Sequence, residues 1–251
     1  MAQSDAPKPV YVRVFEYPNG YVGNFHRHRL AQLVYSVRGI ASVISDGKEL
    51  VVSPFQAVAI PAWSLHRVSA TGNALLHGVF IDPHVYPAAI GELSQVTITP
   101  LLHELIKEAG KHYYDYDNDS IIHHMLNLVV ELVDKEETTQ PVQALPIIKN
   151  SRIRRAIKKC EFQNLSSNEI SKHAAYSNRQ FSRLFKQETG MTFRQWRAIY
   201  LVQHGMRHLG KGMSVTEAAE KLGFCSSSAF ITVFKRHVGF TPALMKLAIK
   251  Y

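Results

Sequence analysis

The feature that most constrains this chain is a pattern written twice in its last hundred residues. Ser166-x-x-Glu169 and Ser214-x-x-Glu217 stand 48 positions apart, and each has the form of a capping box, the reciprocal Ser/Glu arrangement that starts a helix. Further on, Phe181-x-x-x-Phe185-Lys186 matches Phe230-x-x-x-Phe234-Lys235, and Gly190 matches Gly239, all at a separation of 49. Helices keep their internal spacing and turns absorb insertions, so the step from 48 to 49 predicts one extra residue in the second copy's inter-helix turn. Two helix-turn-helix units follow, each a short capped helix, a tight turn, and a second helix beginning near Ser177 or Ser226.

The helical period then assigns the faces. With the phenylalanines buried at i and i+4, the opposite face of the first copy's second helix carries Arg179, Gln180, Ser182 and Arg183, followed by Lys186. In the second copy it carries Ser227, Ser228, Ile231 and Thr232, followed by Lys235 and Arg236. Arginine reads guanine bidentately, hydroxyls read several base edges and isoleucine meets a thymine methyl, while flanking lysines neutralise phosphates. Between the copies, Thr192-x-x-Gln195 opens a helix predicted to run to about Leu209 on Trp196, Ile199, Tyr200, Val202, Met206 and Leu209. About 17 residues rise roughly 25 Å, a length suited to holding two recognition helices about 34 Å apart, one turn of DNA.

Charge points the same way once it is divided. Residues 1–146 hold 10 Lys and Arg against 15 Asp and Glu, a net of −5, whereas residues 147–251 hold 19 against 5, a net of +14. A segment with that excess calls for a polyanion. The other reading of the same numbers is a basic face that only aids solubility.

The first half has a different texture. Tyr11–Tyr17, Leu33–Val37, Ile40–Ser45, Glu49–Val52, Gln56–Ile60 and Leu75–Ile81 read as short strands, parted by turn signals at Pro18-Asn19-Gly20, Asp46-Gly47, Ser53-Pro54 and Thr71-Gly72-Asn73. Such spacing predicts a sandwich or small barrel. After Pro87 the period changes. Thr99-Pro100 reads as an N-cap with proline in the first turn, and Asp119 is expected to open a second helix with a broad apolar stripe from Ile121 to Val133. That stripe can bury against its own barrel or a second subunit. Residues 136–146, polar with two prolines, read as the linker.

The class is therefore α+β: a sensor barrel over 1–98, a helical dimerisation segment over 99–135, a linker over 136–146 and an all-α domain over 147–251, with two helix-turn-helix units joined by a long helix. No run of 18 apolar residues marks a membrane span, the first residues lack the pattern of a signal peptide, and Cys160 and Cys225 are too isolated for a zinc module or disulfide framework. The expectation is a cytoplasmic protein.

The stretch S-N-R-Q-F-S-R-L-F-K-Q-E-T-G-M-T-F (177–193), with V-T-E-A-A-E-K-L-G-F-C-S-S-S-A-F-I-T-V-F-K-R-H-V-G-F-T-P (215–242), resembles the DNA-binding domain of the AraC/XylS family of bacterial regulators. The resemblance covers about 147–251. It implies sequence-specific binding to double-stranded promoter DNA, with base contacts from Arg179, Ser182, Arg183, Ser227, Ser228, Ile231 and Thr232, and RNA polymerase as a partner if the protein activates. Two departures fall in the linker helix: Trp196 stands where tyrosine is common, and Val202-Gln203-His204-Gly205 replaces an Arg-Leu-x-x-Ala-type run. Gly205 costs about 1 kcal/mol of helix stability relative to alanine, which softens the expected linker helix.

His26-x-His28, Gln32 and Gly39, then Pro61-Ala-Trp-Ser-Leu-His66, resemble the two motifs of the cupin barrel. In metal-binding cupins, three histidines and an acidic residue ligate a divalent ion, so the resemblance implies His26, His28, Gln32 and His66 as ligands of Ni, Zn or Fe. Alternation places His26 and His28 on one strand face. Neutral Gln32 in place of Glu weakens binding and leaves the ion more of its charge. An organic effector in the same barrel, or no ligand, is the alternative. His77, His123 and His124 read as packing or surface residues. The resulting expectation is a ligand-responsive homodimeric regulator. A metal-dependent enzyme is disfavoured because no glutamate stands at position 32, and a constitutive regulator whose barrel only dimerises is the third reading.

Overall fold

The computed structural model of the chain describes residues 8–87, 90–135, 144–160, 162 and 165–250. Two compact units divide the described residues: one takes those up to Asp46, from Leu50 to Lys135 and from Leu247 on, the other Gly47–Glu49 and those from Ala144 to Lys246.

The first unit is a sheet with two helices on it. Its strands are β1 (Val10–Tyr17), β2 (Ala31–Ser45), β3 (Lys48–Val52), β4 (Gln56–Ile60), β5 (His66–Ile81) and β6 (Ser94–Thr97). β5 lies between β1 and β2, β3 follows β2, and β4 pairs with β2 and β6. The Asp46-Gly47 hairpin forms as expected, with both residues at positive φ, 48° and 69°.

Two sequence expectations needed correction here, and one strand was missed. The strands expected at 33–37 and 40–45 are one strand, because irregular pairing around Ser36, Arg38 and Ile40 lets the chain bend without leaving the sheet. Gly39 sits there at φ 82°, where a Cβ would lie 2.4 Å from the Asn73 carbonyl oxygen. Thr71-Gly72-Asn73, read as a turn, lies inside β5, which therefore reaches back to His66. β6 was not anticipated.

The helices are α1 (Pro100–Ala109) and α2 (Ile121–Lys135). Thr99 caps α1, its hydroxyl accepting from the Leu102 amide. Ser120 rather than Asp119 does so for α2, its hydroxyl accepting from the His123 amide, while Asp119 occupies the left-handed region at φ 66°. Leu102, Ile106, Leu126, Val129, Val130 and Val133 join Val12, Leu33, Tyr35 and Val79 in one core. Part of the apolar stripe thus buries on the chain's own sheet, whereas Leu101, Ile121 and Leu128 stay exposed.

The second unit carries β7 (Leu145–Pro146), α3 (Ser151–Lys159), α4 (Ser167–His173), α5 (Asn178–Thr189), α6 (Phe193–Gly210), α7 (Val215–Lys221), α8 (Ser227–Val238) and α9 (Pro242–Lys250). Residues 136–143 of the expected linker lie outside the described residues. Its last two residues are not free linker: Leu145 and Pro146 pair with Glu49 and Lys48. Trp196 donates its indole N–H to the Pro146 carbonyl at 3.3 Å and stacks on Tyr200, giving the unusual tryptophan a polar as well as an apolar role. α6 runs unbroken through Gly205 for 18 residues.

Candidate nucleic-acid interface and metal centre

α4 and α5 form the first helix-turn-helix, α7 and α8 the second. The turns carry the predicted insertion. Ala175 (φ 53°) and Gly223 (φ 74°) occupy equivalent left-handed positions, after which the first copy has Tyr176 alone and the second has Phe224 and Cys225 before the capping serine. Equivalent hydrogen bonds close both turns: the Tyr176 amide donates to Ser171 and the Phe224 amide to Ala219. The caps are less uniform than the pattern predicted. Ser214 and Glu217 complete a capping box, but Glu169 turns its carboxylate to Lys172 at 3.1 Å and leaves Ser166 with half of one.

Phe181, Phe185, Phe230 and Phe234 are fully buried, which turns the predicted reading faces outward. Arg179, Ser182, Arg183 and Lys186 are exposed on α5, and Ser228, Thr232, Lys235 and Arg236 on α8, while Ser227 and Ile231 are half-buried. Local hydrogen bonds qualify three residues. Gln180 is exposed, yet its carbonyl oxygen accepts from the Ser177 amide at 3.0 Å in a capping box, so its NH₂ group is what remains to face a base. Ser227 donates to the Thr216 hydroxyl at 3.3 Å. Thr232 donates to the Ser228 carbonyl at 2.9 Å and so presents acceptor lone pairs outward.

In the first unit, the structure brings His26, His28 and His66 together, with ligand atoms within 4.8 Å of one another. The route differs from simple strand alternation. His26 makes only an isolated bridge, exchanging backbone hydrogen bonds of 2.9 Å with His66, and His28 lies in irregular chain before β2. What orients the rings is a repeated backbone contact: Nδ1 of His26 meets the Asn24 carbonyl at 3.1 Å, Nδ1 of His28 that of Leu30 at 2.8 Å, and Nδ1 of His66 that of Ser64 at 2.9 Å. A carbonyl only accepts, so each Nδ1 bears the proton and each Nε2 keeps its lone pair, the arrangement metal-bound imidazoles use.

Burial disfavours the protonated form of His28 and His66. It lowers the His28 pKa against weaker opposing hydrogen bonds, and it brings His66 down to about 4. His66 Nε2 is buried without a hydrogen-bond partner. Gln32, at the start of β2, places its amide oxygen 3.1 Å from His28 Nε2. That oxygen can join the three imidazoles around a shared cation. Three imidazoles and an amide oxygen suit Ni, Zn or Fe, so the residues present fit such an ion. Nothing in the sequence signalled the three orienting carbonyls, since backbone acceptors have no residue code. His77, by contrast, is buried with Nδ1 at 3.3 Å from the Ile106 carbonyl, and His123 and His124 lie apart on α2.

Comparison with known proteins agrees with both halves. The Helix-turn-helix domain family matches residues 170–246 and the Cupin domain family residues 13–82. The HTH-type transcriptional regulator NimR of Escherichia coli (strain K12) is 29% identical over 86% of this chain and 80% of its own length. The chain joins a cupin domain to a helix-turn-helix domain of the AraC type, the make-up of a transcription regulator. The probable transcriptional regulator LumQ of Photobacterium leiognathi aligns over 90% of this regulator and 93% of its own length at 21% identity. Among solved structures, ToxT from Vibrio cholerae O395 superimposes over 96% of the regulator and 98% of itself, with a TM-score of 0.40 and 13% identity. No described helix is long and apolar enough to cross a membrane.

Proposed function

We propose that this regulator reads promoter DNA with α5 and α8 and is controlled by one divalent transition metal held by His26, His28, His66 and Gln32. The observation that carries the metal reading is His66 Nε2, a bare acceptor buried with no partner, with ligand nitrogens of His26 and His28 within 4.8 Å. A buried polar atom left unpaired costs about 1–3 kcal/mol, and a cation shared with His26 and His28 removes that cost. No carboxylate among the described residues joins the cluster, which favours a sensing ion over a catalytic one with its own general base. The exposed Leu101, Ile121 and Leu128 on α1 and α2 support pairing of two chains through the helical segment.

The test is elemental analysis of protein purified without an affinity tag or chelator, followed by titration of the stripped protein with Zn, Ni and Fe. One equivalent of metal should bind and shift affinity for a promoter duplex. Replacing His26, His28 and His66 together should abolish both effects while leaving metal-independent DNA binding in place. If the stripped and loaded proteins bound DNA alike, the metal would not be the signal. Stabilisation by organic metabolites alone would move the effector to that class.

A further inference from the structure

One face of α3 plays no part in the reading helices. Arg152, Arg155 and Lys159 recur at i, i+3 and i+7, away from the buried Ile153, Ala156 and Ile157, and all three are exposed. With Ala156 between them and His173, Ala174 and Ala175 at the end of α4, they line a cleft of about 310 Å³. Elsewhere in this unit Lys172 and Arg207 meet carboxylates. Among the described residues, none lies within ion-pair distance of Arg152, Arg155 or Lys159. Arg152 is held in place, donating to the Ala175 carbonyl at 2.8 Å with its guanidinium 4.3 Å above the Tyr176 ring. Arg155 spends only its Nε, on the Ser151 carbonyl at 3.3 Å, which leaves its terminal nitrogens outward.

We infer that this cleft is a phosphate site, filled by a backbone phosphate of the duplex whose bases α5 reads. The inference rests on the DNA-binding reading above and extends it to a strand position that neither recognition helix occupies. Two features favour a DNA phosphate over a free phosphorylated metabolite. Apart from His173, no lining side chain accepts a hydrogen bond, so nothing selects a sugar or a base. The cleft also borders the Ala174–Tyr176 turn that delivers Ser177 and the reading face of α5, so a duplex engaged by Arg179 and Arg183 passes beside it.

Arg155→Gln and Lys159→Gln, singly and together, test the site on the full chain, with a duplex selected from random sequence by the wild-type protein. Both positions are exposed, and thermal unfolding checks that the variants fold. The double variant should weaken binding to specific and random duplexes by the same factor and lower the slope of log affinity against log salt by about 1, the signature of one lost phosphate contact. A scan of neutral methylphosphonates should find a backbone position that weakens wild-type binding but not the double variant. An unchanged slope, or no such position, would overturn the site while leaving the reading helices untouched. Absence of any salt-dependent binding by the wild-type chain would overturn both. In a parallel arm, inorganic phosphate at millimolar concentration should stabilise neither protein measurably. Stabilisation of the wild type alone, with DNA binding equal in the two, would assign the cleft to a free phosphorylated ligand and overturn the duplex assignment.

Discussion

Gly205→Ala separates two views of the helix that joins the reading units. Treated as an isolated helix, α6 should gain about 1 kcal/mol from the change, because alanine loses less backbone entropy than glycine. Packing sets the opposite sign. A Cβ at position 205 would lie 2.8 Å from both Cε2 and Cζ of Phe230 and 3.4 Å from a Leu222 methyl. Carbon atoms in contact prefer about 3.5–4.0 Å, so the ring must retreat by most of an ångström. It has little room, being fully buried with Phe224 and Phe234 at centroid distances of 5.3 and 5.5 Å. Overpacking of this kind costs about 1–3 kcal/mol. Set against the propensity gain, the net is a loss of about 1 kcal/mol. Urea unfolding should show a lower midpoint at an unchanged m-value, and Phe230→Leu, which shortens the opposing side chain, should make Gly205→Ala neutral or stabilising. A gain of about 1 kcal/mol from the single change would show that close approach does not explain this glycine.

Arg183→Ala should cost about 1–3 kcal/mol of DNA affinity and relax specificity at one base pair, whereas Lys186→Ala should weaken all sequences alike. A binding screen over single-base variants of a selected duplex distinguishes them, and equal losses of Arg183→Ala on specific and random DNA would remove its base-reading role. Ala175→Gly should stabilise the protein by about 0.5–1 kcal/mol, because a left-handed alanine is strained by more than glycine loses in entropy; a lower melting temperature would contradict that. His204 has its pKa lowered to about 3, chiefly by burial and then by Arg207. Because its folded value lies below the unfolded one, its contribution to stability is present above about pH 6.5 and is lost as the pH falls towards 3. His204→Asn should flatten stability over that window, and an unchanged slope would point to other groups.

The legible parts of the fold were those encoded locally. Capping serines, the paired phenylalanines and the Asp46-Gly47 turn each act within a few residues, and repetition told turn from helix. What escaped depends on partners far away in the chain. Glycine is needed at position 39 because the Asn73 carbonyl comes close, and Gly205 is explained by Phe230, 25 positions later. Thr71-Gly72-Asn73 has turn chemistry, but pairing with β2 holds it in a strand. The three histidines do come together, but their convergence comes from the bridge between His26 and His66 rather than from alternation along one strand. Gln180 was placed on the reading face without its second use as a cap, a cost of reading side chains by direction alone. The face of α3 was missed because its three cations gain meaning only beside the end of α4.

The two copies share a scaffold but not a vocabulary. α5 shows arginines where α8 shows hydroxyls and an aliphatic residue, and each copy's turn has its own length. A single chain laid along a duplex therefore has a front and a back: turning it end for end would put hydroxyls where guanidinium groups belong. A duplex read by both copies therefore has polarity without needing a second protomer to supply it.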